Sequence, residues 1–356
     1  MSSPLRRYRN QHSQKRWRLI LLSCSLFFLT FLQSCYLTKL AFHHNNQFNS
    51  RRLVSYVIAD PLTDVKSKKK LILFNRIMDY AEAEGLNTKG AYRYYIETGE
   101  DAVSYLVQAA YPDRLESYTW WYPIVGTVPY KGFFDESERD LLGQALKGKG
   151  LDVHLGRAGA YSSLGWFEDP IYSVMLRRST ASLASLIFHE LTHRTLWVPD
   201  HVSFNENLAS FVEDLLTVQY LQESGKQRLL TAYEVKKADK KLYRVWLKEL
   251  RDALKQFYKN TDFSLDKKQA TLGKAKLFER YTKELRPKFQ RYDYVGNEPW
   301  NNARVLATSL YSPDLDRFSR AHSCHKHLKM GAFLKVLGDK IEGYDDPFVA
   351  LDSLCK

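Results

Sequence analysis

The chain has 356 residues, of which 44% are hydrophobic and 14% aromatic, enough apolar material for a sizeable core and far from the composition of a disordered chain. Its formal net charge is +13, but Arg6, Arg7, Arg9, Lys15, Arg16 and Arg18 all precede Cys35, where no acid occurs. The body is therefore only moderately basic, and with no recognition motif in it nucleic acid is set aside as a partner.

The basic leader is followed by an apolar run from Leu19 to Leu32, shorter than the roughly 20 residues a spanning helix needs. A charged segment ahead of a short apolar one has the form of a secretory signal. It closes on Leu32-Gln33-Ser34-Cys35, which resembles the bacterial lipobox except for Gln33. The resemblance implies a signal peptide over residues 1–34, lipidation at Cys35, and a body held at the bacterial cell envelope by a lipid anchor in the membrane, facing the periplasm or the surface. An uncleaved N-terminal anchor helix is the alternative, and it also leaves the body outside the cytoplasm. Residues 35–356 then read as a single domain.

Along that body, apolar residues recur at helical spacing over residues 67–84 (Leu71, Leu73, Phe74, Ile77, Met78, Ala81), with Gly85 placed to end the helix. Residues 117–134 and 152–167 are strand-like, and residues 136–146 are helical between them, which predicts a small sheet with a helical crossover or excursion. A helix over 180–197 opens at Ser179 or Thr180 and stops at Pro199, and a second runs over 204–223. Residues 224–290 are Lys-rich, with Leu242, Trp246, Leu250, Leu254 and Phe257 forming a stripe, and predict a helical hairpin with a solvated basic face. Residues 291–356 form a C-terminal helical part after a loop at 292–300. Cys324 and Cys355 can pair in an oxidising compartment. His322, His325 and His327 beside Cys324 form one short tract, which cannot wrap a metal without other ligands.

The chemistry centres on His189-Glu190-Leu191-Thr192-His193. Two histidines four apart project from one helix face and can meet one ion, while Glu190 faces the same cleft as the base for the attacking water. Catalytic zinc keeps three protein ligands and one open position. Asn205-Glu206 begins a helix shortly after the Pro199 turn and resembles the Asn-Glu that brings the third ligand in the thermolysin-like zinc peptidases, the gluzincins. By that resemblance Glu206 is the third ligand. Ser210 and Glu213 share its face, and either can brace a ligand histidine.

The resemblance reaches further. Residues 121–126 (WYPIVG), 129–135 (PYKGFFD), 160–170 (AYSSLGWFEDP), 204–206 (FNE) and 301–303 (NNA) are similar to a family of bacterial putative aminopeptidases, predicted zinc-dependent lipoproteins. It spans most of residues 35–340 and implies an α+β, mostly helical zincin-like fold, with a small sheet packed on the HExxH helix. It also implies Zn2+ as cofactor and a peptide as substrate. The Gly-x-Met-Glu-Asn amine-binding motif of better-known gluzincin aminopeptidases is absent, so exopeptidase and endopeptidase action both stay open. Tyr161 and Tyr311 are candidate donors to the oxyanion, and Glu168 and Asp169 are candidates to bind a substrate ammonium. The alternative to an enzyme is a lipid-anchored binding or scaffold protein whose zinc is structural or lost.

Overall fold

The structure, a computed structural model, describes residues 49–99, 102–122, 126–158, 169–285, 288, 299–309 and 315–355. Cys35, Tyr161, Glu168 and Tyr311 lie outside the described residues. Arg52–Lys356 form one unit, mostly helical with small sheets, an α+β architecture.

The first sheet has three short strands. β1 (Arg52–Leu53) pairs antiparallel with β2 (Tyr94–Ile96), which pairs parallel with β9 (Ile171–Tyr172). Between β1 and β2 lie α1 (Val54–Ala59) and α2 (Val65–Ala83). Asp64 caps α2 by accepting the Ser67 N–H at 2.9 Å, a contact worth about 0.5–2 kcal/mol. Leu71, Phe74, Ile77 and Ala81 face the core with no exposure. Gly85 ends the helix in the left-handed region at φ +81. It also meets Gly331, where a Cβ would come within 2.1 Å of the Gly85 carbonyl oxygen; no side chain fits at Gly331.

The second sheet is built on β3 (Ser104–Ala110), a strand the sequence pattern does not announce. Its residues Leu106-Val107-Gln108-Ala109-Ala110 blur the alternation because small and apolar side chains are buried on both faces. β3 pairs antiparallel with β4 (Ser117–Tyr118) and β7 (Tyr130–Phe133) along one edge and with β8 (Asp152–Ala158) along the other. β5 (Trp120–Tyr122) and β6 (Gly126–Val128) form a separate hairpin. The expected crossover is α3 (Glu136–Gly148), capped by Asp135 and packed on β3 and β8.

After α4 (Ser173–Leu176), the helices α5 (Thr180–Thr195) and α6 (Val202–Glu223) pack on each other more extensively than any other pair. α2 and α7 (Gln227–Asn260) also cover α5. The sheet expected on the HExxH helix is thus largely replaced by helices. The four-stranded sheet packs on α3 and α9 (Asn302–Ser309) instead, and only the three-stranded one, through Tyr95, Ile96 and Ile171, joins the core around α5. The reason is volume: Leu183, Ile187, Phe188 and Leu191 are fully buried and need broad apolar partners, which α2 and α6 offer and two- or three-residue strands do not.

α7 and α8 (Lys267–Leu285) form the expected hairpin. α7 spans about 50 Å at 1.5 Å per residue and serves two cores. Leu230 and Tyr233 join the first, while Tyr243, Trp246, Leu247, Leu250 and Leu254 form the second with Phe278, Trp300 and Val305. Asn302 fastens this second core to the sheet. Its amide donates to the carbonyls of Tyr111 and Arg114 and its Oδ1 accepts from Tyr258, all at 2.8–3.0 Å. At the C-terminal end, α10 (Leu315–Ser323), α11 (Met330–Ile341) and α12 (Pro347–Asp352) complete the first core. Cys324 and Cys355 are disulfide-bonded with Cα atoms 5.8 Å apart, and His322 packs edge-on against Phe333 at 5.1 Å.

Candidate metal centre

α5 opens where Ser179 Oγ accepts the Ser182 N–H at 3.2 Å. From there the 3.6-residue period divides the helix into two faces. Ala184, Ile187, Phe188 and Leu191 enter the core, and Ser182, Ser185, Leu186, His189 and Glu190 line a cleft. The bend to α6 is held by Asn205, 1% exposed, whose side chain accepts the Val198 N–H at 2.9 Å and donates to the Val198 carbonyl at 2.8 Å. Asn205 therefore sets where the next residue, Glu206, stands against α5.

His189 Nε2 and His193 Nε2 are 3.2 Å apart. Glu206 Oε2 is 3.3 Å from the first and Glu206 Oε1 is 3.6 Å from the second. Ligands at 2.0–2.1 Å from a small divalent ion in tetrahedral geometry stand about 3.3–3.4 Å apart. These three side chains are the only His/Cys/Asp/Glu group among the described residues that could hold a metal ion. A second observation fits: Glu206 Oε2 is buried and, apart from the His189 ring 3.3 Å away, meets no donor among the described residues, an arrangement costly to a carboxylate unless positive charge meets it.

The far side of His189 is braced. Its Nδ1 donates to Glu213 Oε2 at 2.8 Å, and Glu213 Oε1 accepts from Lys240 Nζ at 2.7 Å. Burial opposes ionisation of Glu213, but Lys240 and His189 outweigh it and hold the carboxyl at about 2. Ser210 is buried, and no hydrogen bond joins it to either histidine among the described residues, so of the two expected braces the structure brings Glu213 to the ligand. Burial also opposes protonation of His189, yet Glu206 and Glu213 lift it to about 10, while burial and the His189 charge press His193 down to about 4. The carboxylates of Glu206 and Glu213 thus favour positive charge at His189.

Glu190 follows the first ligand. Burial pushes its carboxyl up to about 7, the charges of Glu206, Asp169 and Glu213 adding to this and His189 opposing it. A carboxylate poised near neutrality suits a general base. Asp169 is 3% exposed and its Oδ2 lies 3.3 Å from Arg194 Nη1; Arg194 in turn donates to the Lys89 carbonyl at 2.8 Å. Asp169 is near the site but enclosed and matched by an arginine.

Two neighbours escape the sequence reading. Lys240 sits in a Lys-rich helix whose basic face was expected in solvent, and nothing in the pattern separates it from Lys241 or Lys248. Tyr92, fully enclosed, adopts φ +58. Burial and then the charges of Glu190 and Asp169 push its hydroxyl well above the usual range. A left-handed φ at a bulky residue is a strain found at functional sites, and only coordinates reveal it.

A mostly helical α+β unit with a His-His-Glu group and an adjacent half-buried carboxylate defines a candidate metal-dependent hydrolase. The chain belongs to the family described as Putative aminopeptidase, whose model matches residues 35–336. No curated protein and no solved structure matches the chain.

Proposed function

We propose that this chain is a zinc-dependent peptidase, in keeping with its family an aminopeptidase, hydrolysing peptide bonds outside the cytoplasm. The observation that carries the reading is the convergence of His189, His193 and Glu206, whose nearest ring nitrogens and carboxylate oxygens stand 3.2–3.6 Å apart, with Glu190 one residue along the same helix. Zinc bound there supplies a Lewis acid for the scissile carbonyl. Glu190 takes the proton of the attacking water and returns it to the leaving amine nitrogen. Glu213, fixed by Lys240, keeps the His189 proton on Nδ1 and so leaves Nε2 free as a ligand. Tyr161 or Tyr311 donates its hydroxyl to the oxyanion. Since Arg194 already matches Asp169, Glu168 is the better of the two carboxylates to meet a substrate ammonium.

The test is metal analysis of the purified mature chain beside a peptide-hydrolysis assay. Stoichiometric zinc is expected, with hydrolysis abolished by a chelator and restored by zinc. Stoichiometric zinc with no hydrolysis of any peptide would instead leave a non-catalytic binding protein.

Exopeptidase action has its own signature. Acetylating the substrate's N-terminus is expected to cost roughly 2–5 kcal/mol of transition-state binding, as loss of a buried charge partner does. Equal kcat/KM on free and acetylated peptides would make the enzyme an endopeptidase.

The placement at the envelope rests on the lipobox-like Cys35, and the Cys324–Cys355 disulfide supports an oxidising compartment. No helix of the described residues is long and apolar enough to cross a membrane. Cys35→Ser is expected to block lipid labelling and leave the precursor uncut; a wild-type protein that retains its leader would favour an anchor helix.

A further inference from the structure

Beside the metal centre, α5, α6 and α7 enclose a cleft of about 340 Å³, enough for one or two side chains. Its wall includes His189 and Glu190, so whatever fills it lies next to the reacting centre. The opposite wall is one stripe of α7, with Tyr233, Lys236, Lys237 and Lys240 at positions i, i+3, i+4 and i+7, and Arg178 closes the end.

Most charges in the cleft are matched. Lys240 bonds Glu213 at 2.7 Å. Asp214 accepts from the Tyr233 hydroxyl at 2.9 Å and has Lys237 at 4.0 Å. Arg178 differs: its side chain is partly buried, yet among the described residues its guanidinium makes no hydrogen bond or ion pair. Its backbone is committed, the carbonyl accepting from Lys70 Nζ, which fixes where the side chain starts. Lys236 lines the same wall. A guanidinium withdrawn from water without a bonded acceptor is costly, and its planar fork suits a carboxylate held by two parallel hydrogen bonds.

We propose that this cleft is a subsite for a carboxylate of the peptide substrate, an acidic side chain or the terminal carboxylate, held by Arg178 with Lys236 beside it. The proposal rests on the peptidase reading and narrows its substrates to peptides that carry a negative charge near the scissile bond. Arg178, Lys236 and Lys240 set the positive field that draws such a group in, and they act against the opposing charges of Glu190 and Glu213 on the same cleft.

The test is calorimetric titration of the zinc-loaded mature chain carrying Glu190→Gln, so that bound peptide is not consumed. Tetrapeptides of alanine with one Glu, placed in turn at each position, are compared with their Gln counterparts, each with a free or an amidated C-terminus. At one position Glu is expected to bind about tenfold more tightly than Gln, and Arg178→Gln should level the pair. If amidation rather than Glu→Gln costs the affinity, and Arg178→Gln removes that difference, the bound group is the terminal carboxylate. Should Arg178→Gln not fold, Lys236→Gln is expected to narrow the same difference. Affinities unmoved by either change to the peptide, or a preference that survives both variants, would overturn the subsite. Wild-type enzyme that binds with this preference but cleaves none of these peptides would overturn the peptidase reading alone.

Discussion

His189→Ala, His193→Ala and Glu206→Ala are each expected to abolish stoichiometric zinc, while Glu213→Gln and Lys240→Met weaken it by about 10–100-fold. The gradation follows from position. The first three contribute the converging atoms, whose nearest pairs stand 3.2–3.6 Å apart, and removing any one leaves two ligands where a stable site needs three. Glu213 touches only Nδ1 of His189, so its loss frees the ring to turn and to change tautomer without removing a ligand. Lys240 is one bond further out and should cost less than Glu213. Metal content by elemental analysis and competition with a chromophoric chelator separate these classes. Glu206→Ala with wild-type affinity would remove Glu206 from the ligand set.

Glu190→Gln is expected to keep zinc and fold while lowering kcat by about 10²–10⁴-fold, the range of a general acid–base contribution. The amide is isosteric, fills the same partly buried place, and cannot accept a proton. The same residue sets a pH dependence. Glu190 must be a carboxylate to act, and burial raises it to about 7 without a cation. A bound cation can only lower that value, so activity should fall as pH drops through a midpoint at or below about 7. The variant's residual activity should lack that limb. An unchanged acid limb in Glu190→Gln would assign it to another group, and undiminished turnover would remove Glu190 as the base.

The ligand pair was legible in the sequence because i and i+4 on a helix share a face whatever surrounds the helix. Ser179 as cap and Pro199 as stop bounded that helix for equally local reasons. The amphipathic residues 67–84, the α3 crossover and the two-helix hairpin were legible on the same grounds, through periodicity and caps. Glu206 was legible only through the family resemblance, since nothing local brings it to His189; the Asn205 clamp on Val198 does that in three dimensions. β3 was missed because burial on both faces erases the alternation that marks a half-buried strand. The choice between Ser210 and Glu213 needed side-chain reach, because both occupy one helix face and only the longer chain crosses to Nδ1 of His189.

Periodicity and caps are properties of neighbouring residues, and those the sequence by itself determined: the HExxH helix and its partner. What the tertiary structure decided is where side chains distant in sequence meet. Lys240, one lysine in a basic run, braces Glu213; Arg178, at the end of a short helix, stands in the cleft; Asp169 is enclosed with Arg194. Charge carries no period, so its role is settled only when packing brings two helices together and burial removes the water that would otherwise screen it.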